Sequence, residues 1–478
     1  MTAKYTPAIG LEIHVQLNSK NKLFSRDPNP ETNPDTLLTK NPHSTLTHHS
    51  PFIRATPGTI PELNHEAVEK AVIAALALNA QINTESQFDR KHYFHHDLPR
   101  AYQITQDKKP LAQNAYIEIS TANMKTRRIR IRQIHIEDDT AKSDYYNDTV
   151  NVDLSRAGIP LIEIVTEPDI ECAEDAAAVF REIREILLWN NVSNANLERA
   201  NMRCDANVSL TGTEKTVITE IKNLNSYKFL ENAVNAEIIR QNDALNNNNP
   251  ITPQTLYWDN DHNTLIPLRQ KNTQNIILPE PNIPTLVINQ EYVERIKKNL
   301  PPEKNNYIEK LEKLGISDAE TYIRTPENAE IILELAQNTT NPKRLDALLK
   351  NELQRLANNT TKAFPPIPTA AIHELITLLD TKKIASIDTY EILEATVTYN
   401  CSPRNAAEKI NKIASDNYEL IQKFCRKIME KFPKQLEEYR NGQTKLFAFF
   451  IGQTMNASTT RLDPETVRKI LARELNHK

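Results

Sequence analysis

Gly10-Leu11-Glu12-Ile13-His14-Val15-Gln16-Leu17 alternates apolar and polar side chains at almost every step. Successive side chains of a strand point to opposite faces, so Leu11, Ile13, Val15 and Leu17 share one face and Glu12, His14 and Gln16 the other. Arg130-Ile131-Arg132-Gln133-Ile134-His135-Ile136-Glu137 repeats the alternation. A carboxylate beside an imidazole on one strand face suits a divalent cation. The same pattern also serves a strand whose polar face is simply solvated. Two further acidic runs, Arg203-Cys204-Asp205-Ala206-Asn207 and Thr219-Glu220-Ile221-Lys222-Asn223, stand in similar apolar settings. Acids there are costly unless they bind metal or pair with a base, so several such strands together point to a site.

Working outward, residues 1–288 alternate short β-type runs with few long helices, and strand signals are not regularly followed by crossover helices. An α+β fold with an antiparallel sheet follows. Ala67, Val68, Ala71, Val72, Ala75 and Leu78 form an apolar stripe that predicts a helix over 66–80, and a second helix is expected over 173–189. The run Ile276-Ile277-Leu278-Pro279-Glu280-Pro281-Asn282-Ile283-Pro284 is expected to break regular structure and to close the sheet domain. Beyond it the pattern turns helical, with short helices expected over 292–300, 302–314 and 328–336. Ile372, Leu375, Ile376 and Leu379 recur at helical spacing in a last helical unit. Three domains are expected: 1–288, a helical 289–358, and a helical tail, 359–478.

A chain of 478 residues can bury ample core, and its four cysteines are widely separated, without the Cys-x-x-Cys spacing of a zinc ribbon or a disulfide framework. A reducing compartment fits. The first residues lack an apolar signal core, and no stretch approaches the roughly 20 apolar residues of a membrane span. With 58 basic against 62 acidic residues the net charge is −4, so any contact with nucleic acid is local. Arg440, Lys445, Arg461, Arg468, Lys469 and Arg473 near the end suit phosphate contacts, as they also suit a solvated helix face.

The runs 10–17, Arg90-Lys91-His92-Tyr93-Phe94 with Asp97-Leu98-Pro99, 135–142, Arg156-Ala157-Gly158-Ile159-Pro160-Leu161-Ile162-Glu163-Ile164-Val165, 203–209 and 219–226 follow one another in a telling order. Over nearly its full length the chain resembles the B subunit of aspartyl/glutamyl-tRNA amidotransferase. That resemblance implies a first domain similar to the catalytic fold of glutamine synthetase, an antiparallel cradle, and a small tail domain that contacts transfer RNA. It implies a reaction in which ATP phosphorylates the side-chain carboxylate of glutamate or aspartate esterified to transfer RNA, and ammonia then displaces phosphate. Matched to the family's motifs, Glu12, His14, Glu137, Asp138, Asp205 and Glu220 become the expected ligands of magnesium, with Glu12 and Glu137 catalytic. Lys91 is expected to be catalytic as well, near the ammonia route, its ammonium pairing with a cradle acid to gate passage, and Arg203 and Lys222 are expected to meet the phosphates of ATP or the RNA terminus. The chain itself offers no amidase nucleophile, so ammonia is expected from a glutaminase partner, the amidase or A subunit, in an assembly completed by a small C subunit. The resemblance also implies a cytoplasmic protein, or one of an organellar matrix if organelle-encoded, with misacylated transfer RNA as substrate.

The chain departs from the family between Leu23 and Gly58, where many members carry paired cysteines of zinc spacing and this one has none. No zinc is expected there, nor on His92, His95 and His96. Asp138 stands where the family has Glu, Arg199-Ala200 replaces an acidic-glycine pair, and Gln270-Lys271-Asn272 replaces Ser-Lys-Glu. Two other readings belong to different classes: a non-catalytic RNA-binding scaffold descended from the family, and a free-standing metal-dependent ligase acting on a small amino acid.

Overall fold

The computed structural model describes residues 5–32, 49–93, 95–121, 125–212, 216–268, 275–360, 364–414, 417–458 and 462–476. The motif residue Phe94, the departure Gln270-Lys271-Asn272, His48 and the basic Arg461 lie outside the described residues. The chain divides into two compact units, Met1–Pro301 and Pro302–Lys478. The architecture is α+β, with a sheet in the first unit and a helical second unit.

The alternation of the opening motif becomes the central strand Thr6–Gln16 of a nine-stranded sheet. From one edge the order is Thr264–Pro267, Gln254–Asp259, Thr219–Leu224, Met202–Thr211, Thr6–Gln16, Pro160–Thr166, Thr126–Asp138, Ala112–Ser120 and Gln81–Ile82. Ile9, Leu11, Ile13 and Val15 are buried in the core, and fully burying such a side chain contributes about 2 kcal/mol. Helices His65–Ala77, Ala173–Trp189 and Tyr227–Asn246 pack on that face, leaving the opposite face to Glu12, His14 and their neighbours. Asn64 caps the first of these helices by accepting from the Glu66 and Ala67 N–H groups.

The expected antiparallel sheet needs one correction. Thr219–Leu224 and Gln254–Asp259 run parallel, joined by the helix Tyr227–Asn246 that hydrophobic spacing does not announce. A parallel pair needs such a crossover. A second correction concerns the proline-rich run: Ile276–Pro279 is a strand, antiparallel to Asp89–His92, in a three-stranded sheet completed by Tyr102–Thr105. The prolines fall at and beyond its end, where the missing N–H costs no ladder bond. Glu280, next in line, takes Arg90 through Nε and Nη2 at 2.6 and 3.0 Å.

At the end of the strand Thr126–Asp138 the chain enters a hairpin, Lys142–Tyr146 with Thr149–Asp153, which exposes Tyr145, Tyr146, Val150 and Val152. In the second unit, helices Tyr418–Lys431, Leu446–Ala457 and Pro464–Asn476 close over Ile421, Cys425, Ile428, Phe450, Val467, Ile470 and Leu471. No described helix of the chain is long and apolar enough to cross a membrane.

Candidate metal and phosphate centre

Sheet register assembles the open face. His14 lies opposite Glu163 on one neighbouring strand and Arg203 on the other, and Glu163 lies opposite His135 in turn. Two residues away, Glu12 lies opposite Asp205. Because the side-chain period is two, these residues share a face with no further adjustment.

Two groups of ligand-type side chains result. In the first, donor atoms of His14, Glu137 and Glu163 lie within 4.8 Å of one another. His14 Nε2 stands 3.3 Å from Glu163 Oε2 and 3.7 Å from Glu137 Oε1. His135 Nε2 makes the same pair of approaches, at 3.3 and 3.8 Å. Burial works against a proton on either imidazole, yet the two carboxylates outweigh it and raise both above the ordinary range, His135 to about 10. Glu163 is held well below its ordinary range by His135 and His14, against the burial that would raise it.

In the second group, oxygens of Glu12, Asp205 and Glu220 lie within 4.8 Å of one another. Lys222 Nζ donates to Asp205 at 2.9 Å and to Glu220 at 2.5 Å, and Asn207 Nδ2 donates to Glu12 at 2.9 Å. Burial first, then the charges of Glu163, Asp205 and Glu220, raises Glu12 above the ordinary carboxylate range despite the Asn207 bond. Three acids share one ammonium, and the local charge is short of cations.

Arg203 stands between the groups, where Asp139, Glu137 and Asp205 together keep its guanidinium charged against burial. Its hydrogen bond goes to Asp139 Oδ1 at 3.4 Å, not to the Asp205 of its own strand. Lys222, by contrast, is already engaged with the acids beside it.

Two expected site residues stand apart from these groups. Asp138 faces away from Glu137, buried in an ion pair with Arg100 and accepting the Ile104 N–H at 2.9 Å. A one-residue step along a strand reverses the face, so the neighbours Glu137 and Asp138 serve different sides. Lys91 lies in the small sheet opposite Gln103 and Ile277, and among the described residues it forms no ion pair with a cradle acid. Of the three histidines, His92 packs on Tyr102, while His95 and His96 lie with ring centroids 4.0 Å apart, His95 paired with Asp97 at 2.6 Å and His96 Nε2 3.1 Å from the Tyr145 hydroxyl.

Glu163 is the functional candidate that motif reading misses. Its signal is present, since Leu161, Glu163 and Val165 alternate with buried Ile162 and Ile164 as Glu12 and His14 do with their neighbours. Elsewhere, Lys445, Arg468 and Lys469 are exposed, while Arg440 Nε donates to the Leu475 carbonyl at 3.2 Å and Arg473 reaches the Tyr418 hydroxyl at 3.4 Å.

Two adjoining groups of ligand-type side chains on one sheet face make this a candidate divalent-cation site. Residues 7–294 match the family model described as the GatB/GatE catalytic domain, and residues 330–475 match the GatB domain. The B subunit of the aspartyl/glutamyl-tRNA(Asn/Gln) amidotransferase of Persephonella marina is 35% identical over 489 residues, covering 98% of this chain and 99% of that protein. The proteins of the same description from Thermodesulfovibrio yellowstonii, at 34% with 98% of each chain covered, and Clostridium tetani, at 32% with 99% of each, are similar over the same span. The chain belongs to the family of aspartyl/glutamyl-tRNA amidotransferase B subunits.

Proposed function

We propose that this chain is the kinase and transamidase subunit of a glutamine-dependent transfer RNA amidotransferase. It converts Glu-tRNA(Gln), Asp-tRNA(Asn) or both to the corresponding Gln-tRNA(Gln) and Asn-tRNA(Asn), in the cytoplasm, as a carbon-nitrogen ligase. The γ-phosphoryl group of ATP passes to the side-chain carboxylate of the esterified amino acid; ammonia then adds to that carbonyl and inorganic phosphate leaves. The observation that carries the reading is the pair of adjoining, largely desolvated carboxylate groups on one sheet face of a chain of this family. The glutaminase partner, the A subunit, supplies ammonia, and the small C subunit completes the assembly.

The donors suit magnesium. Glu12, Asp205 and Glu220 offer only hard carboxylate oxygens, and Glu12 is raised first by burial and then by the neighbouring acids. Glu137, Glu163 and His14 form the second candidate set. Bound magnesium supplies positive charge against the phosphate oxygens, where charge gathers during phosphoryl transfer. Arg203, with one hydrogen bond to Asp139, would offer the rest of its guanidinium to those oxygens, and Lys222 would reach them only by sharing its ammonium with Asp205 and Glu220. Thr105 Oγ1, 3.3 Å from Glu137 Oε2, and Asn207, on Glu12, keep the two carboxylates oriented. Lys91 lies on the path by which ammonia enters, and Asp138 acts through Arg100 on the wall of the cradle. The absence of paired cysteines in the sequence supports a magnesium enzyme that needs no zinc.

The cradle is read as similar to the glutamine synthetase catalytic fold, with domains at 1–288, 289–358 and 359–478. A non-catalytic scaffold has little reason to keep so many acids desolvated on one face. The deciding experiment is ATP-dependent formation of Gln-tRNA from Glu-tRNA by the complex reconstituted with the glutaminase and the small partner; no product with either misacylated RNA would defeat the reading. The tail is assigned to transfer RNA. Reversing the exposed Arg468 and Lys469 to Glu should weaken RNA binding several-fold and flatten its salt dependence by about one unit of slope per lost phosphate contact, while the KM for ATP stays unchanged.

A further inference from the structure

Asp139 stands two residues beyond Glu137, where the chain leaves the sheet for the hairpin, and its carboxylate is buried and fully engaged. Oδ2 accepts from Gln16 Nε2 at 2.8 Å, and Oδ1 accepts from the Thr140 N–H at 3.0 Å. The Arg203 guanidinium is 3.4 Å from Oδ1, and Arg156 Nε is 3.8 Å from Oδ2. Gln16 is fixed in its turn, because its Oε1 accepts from Asn201 Nδ2 at 2.7 Å while its N–H donates to the Asn201 carbonyl at 2.8 Å. Asn201, Gln16 and Asp139 thus form a buried polar chain that ends on Arg203.

Such a chain has a physical use. Arg203 lies among Glu137, Asp139 and Asp205, and a loose guanidinium there would collapse onto the acids assigned to magnesium. Asp139 is held independently of Arg203 by the Thr140 N–H and by the Gln16 amide, which cannot itself change charge. A single bond to Asp139 leaves the rest of the guanidinium fork available to an anion, and among the described residues Arg203 makes no other side-chain hydrogen bond. The wider network also ties the hairpin in, since Arg156 donates to the Thr140 carbonyl at 2.9 Å and the Ala141 carbonyl at 2.7 Å.

We propose that Asp139, held by Gln16 and Asn201, is the positioning residue that aims Arg203 at the phosphoryl group transferred in the amidation reaction. The proposal rests on the functional reading above. Its test uses the reconstituted heterotrimer with ATP, Glu-tRNA and an ammonium salt, comparing Asp139→Asn, Arg203→Gln, their double variant, and Gln16→Met. Asp139→Asn should lower kcat/KM for ATP about tenfold or more, with an unchanged KM for ammonium. The double variant should be no slower than Arg203→Gln alone, because residues acting through one another are not additive. Gln16→Met should cost a few-fold, and that loss too should vanish in the Arg203→Gln background.

Additive losses, or near-normal kcat/KM for ATP in Asp139→Asn, would overturn the positioning role. Should Asp139→Asn fail to fold, the cycle of Gln16→Met with Arg203→Gln decides by the same criterion. A wild-type complex that makes no amidated RNA would instead remove the functional reading and this proposal with it.

Discussion

The two acidic groups of the cradle are neighbours of similar size, yet they are neutralised by opposite means. Glu137 and Glu163 face two buried imidazoles, whereas Asp205 and Glu220 face the ammonium of Lys222. The carboxylates keep the His135 imidazole protonated through the neutral range, and it gives up its proton only near pH 10. Lys222 does not, because Asp205 and Glu220 raise it further above its already high value despite burial. A metal ion entering the first group would have to displace the imidazole protons, while the second carries a permanent partial countercharge. One face holds an adjustable charge beside a fixed one.

The largest expected effect falls on the carboxylates themselves. Glu137→Gln and Glu12→Gln should each reduce ATP-dependent amidation by about a thousandfold, because a neutral amide cannot balance a divalent ion. Circular dichroism should show both variants folded. Near-normal turnover of either at limiting magnesium would withdraw its group from metal binding, and would leave the other as the sole centre. Equal losses would mean that both groups act together.

The adjustable group should also declare itself in stability. His135 has a higher folded than unfolded proton affinity, so its protonation stabilises the metal-free fold fully below about pH 6.5. That contribution is lost as pH rises toward about 10. In EDTA, the stability difference between wild type and His135→Gln should shrink by on the order of a few kcal/mol over this window, as read from urea midpoints. A difference constant with pH would show that the imidazole is not the countercharge of Glu137 and Glu163.

The cradle was legible where period-two alternation and acidic residues coincided, as in Leu11 to Gln16 and around Glu137. Register, which no single strand encodes, was needed to bring Glu163 between His14 and His135, whereas the facing of Asp138 away from Glu137 follows from the alternation of their own strand. The helix Tyr227–Asn246 was illegible because its buried face includes Glu237 and Gln241 alongside Leu230, Ala233 and Val234. Glu237 is satisfied by Arg240, and Gln241 by the Val208 carbonyl, contacts that apolar spacing cannot announce. The strand Ile276–Pro279 was hidden by its prolines, which read as a break until their edge position is seen.

The smallest effect tests the fixed side of the comparison. Lys222→Met removes the ammonium shared by Asp205 and Glu220 and leaves those acids beside Glu12 without it. Their mutual repulsion should then be relieved only by a bound cation, so the variant should melt a few degrees below wild type in EDTA. Magnesium should recover most of that loss, and by more than it stabilises wild type, because binding to the native state alone adds its free energy to folding. A calorimetric scan of both proteins with and without magnesium measures this directly. If Lys222→Met melts lower but gains nothing extra from magnesium, the three acids do not form a cation site, and Lys222 serves only to hold their strands together. If it melts as wild type does in EDTA, the ion pairs are too solvated to matter, and the contrast between a fixed and an adjustable group rests on the histidines alone.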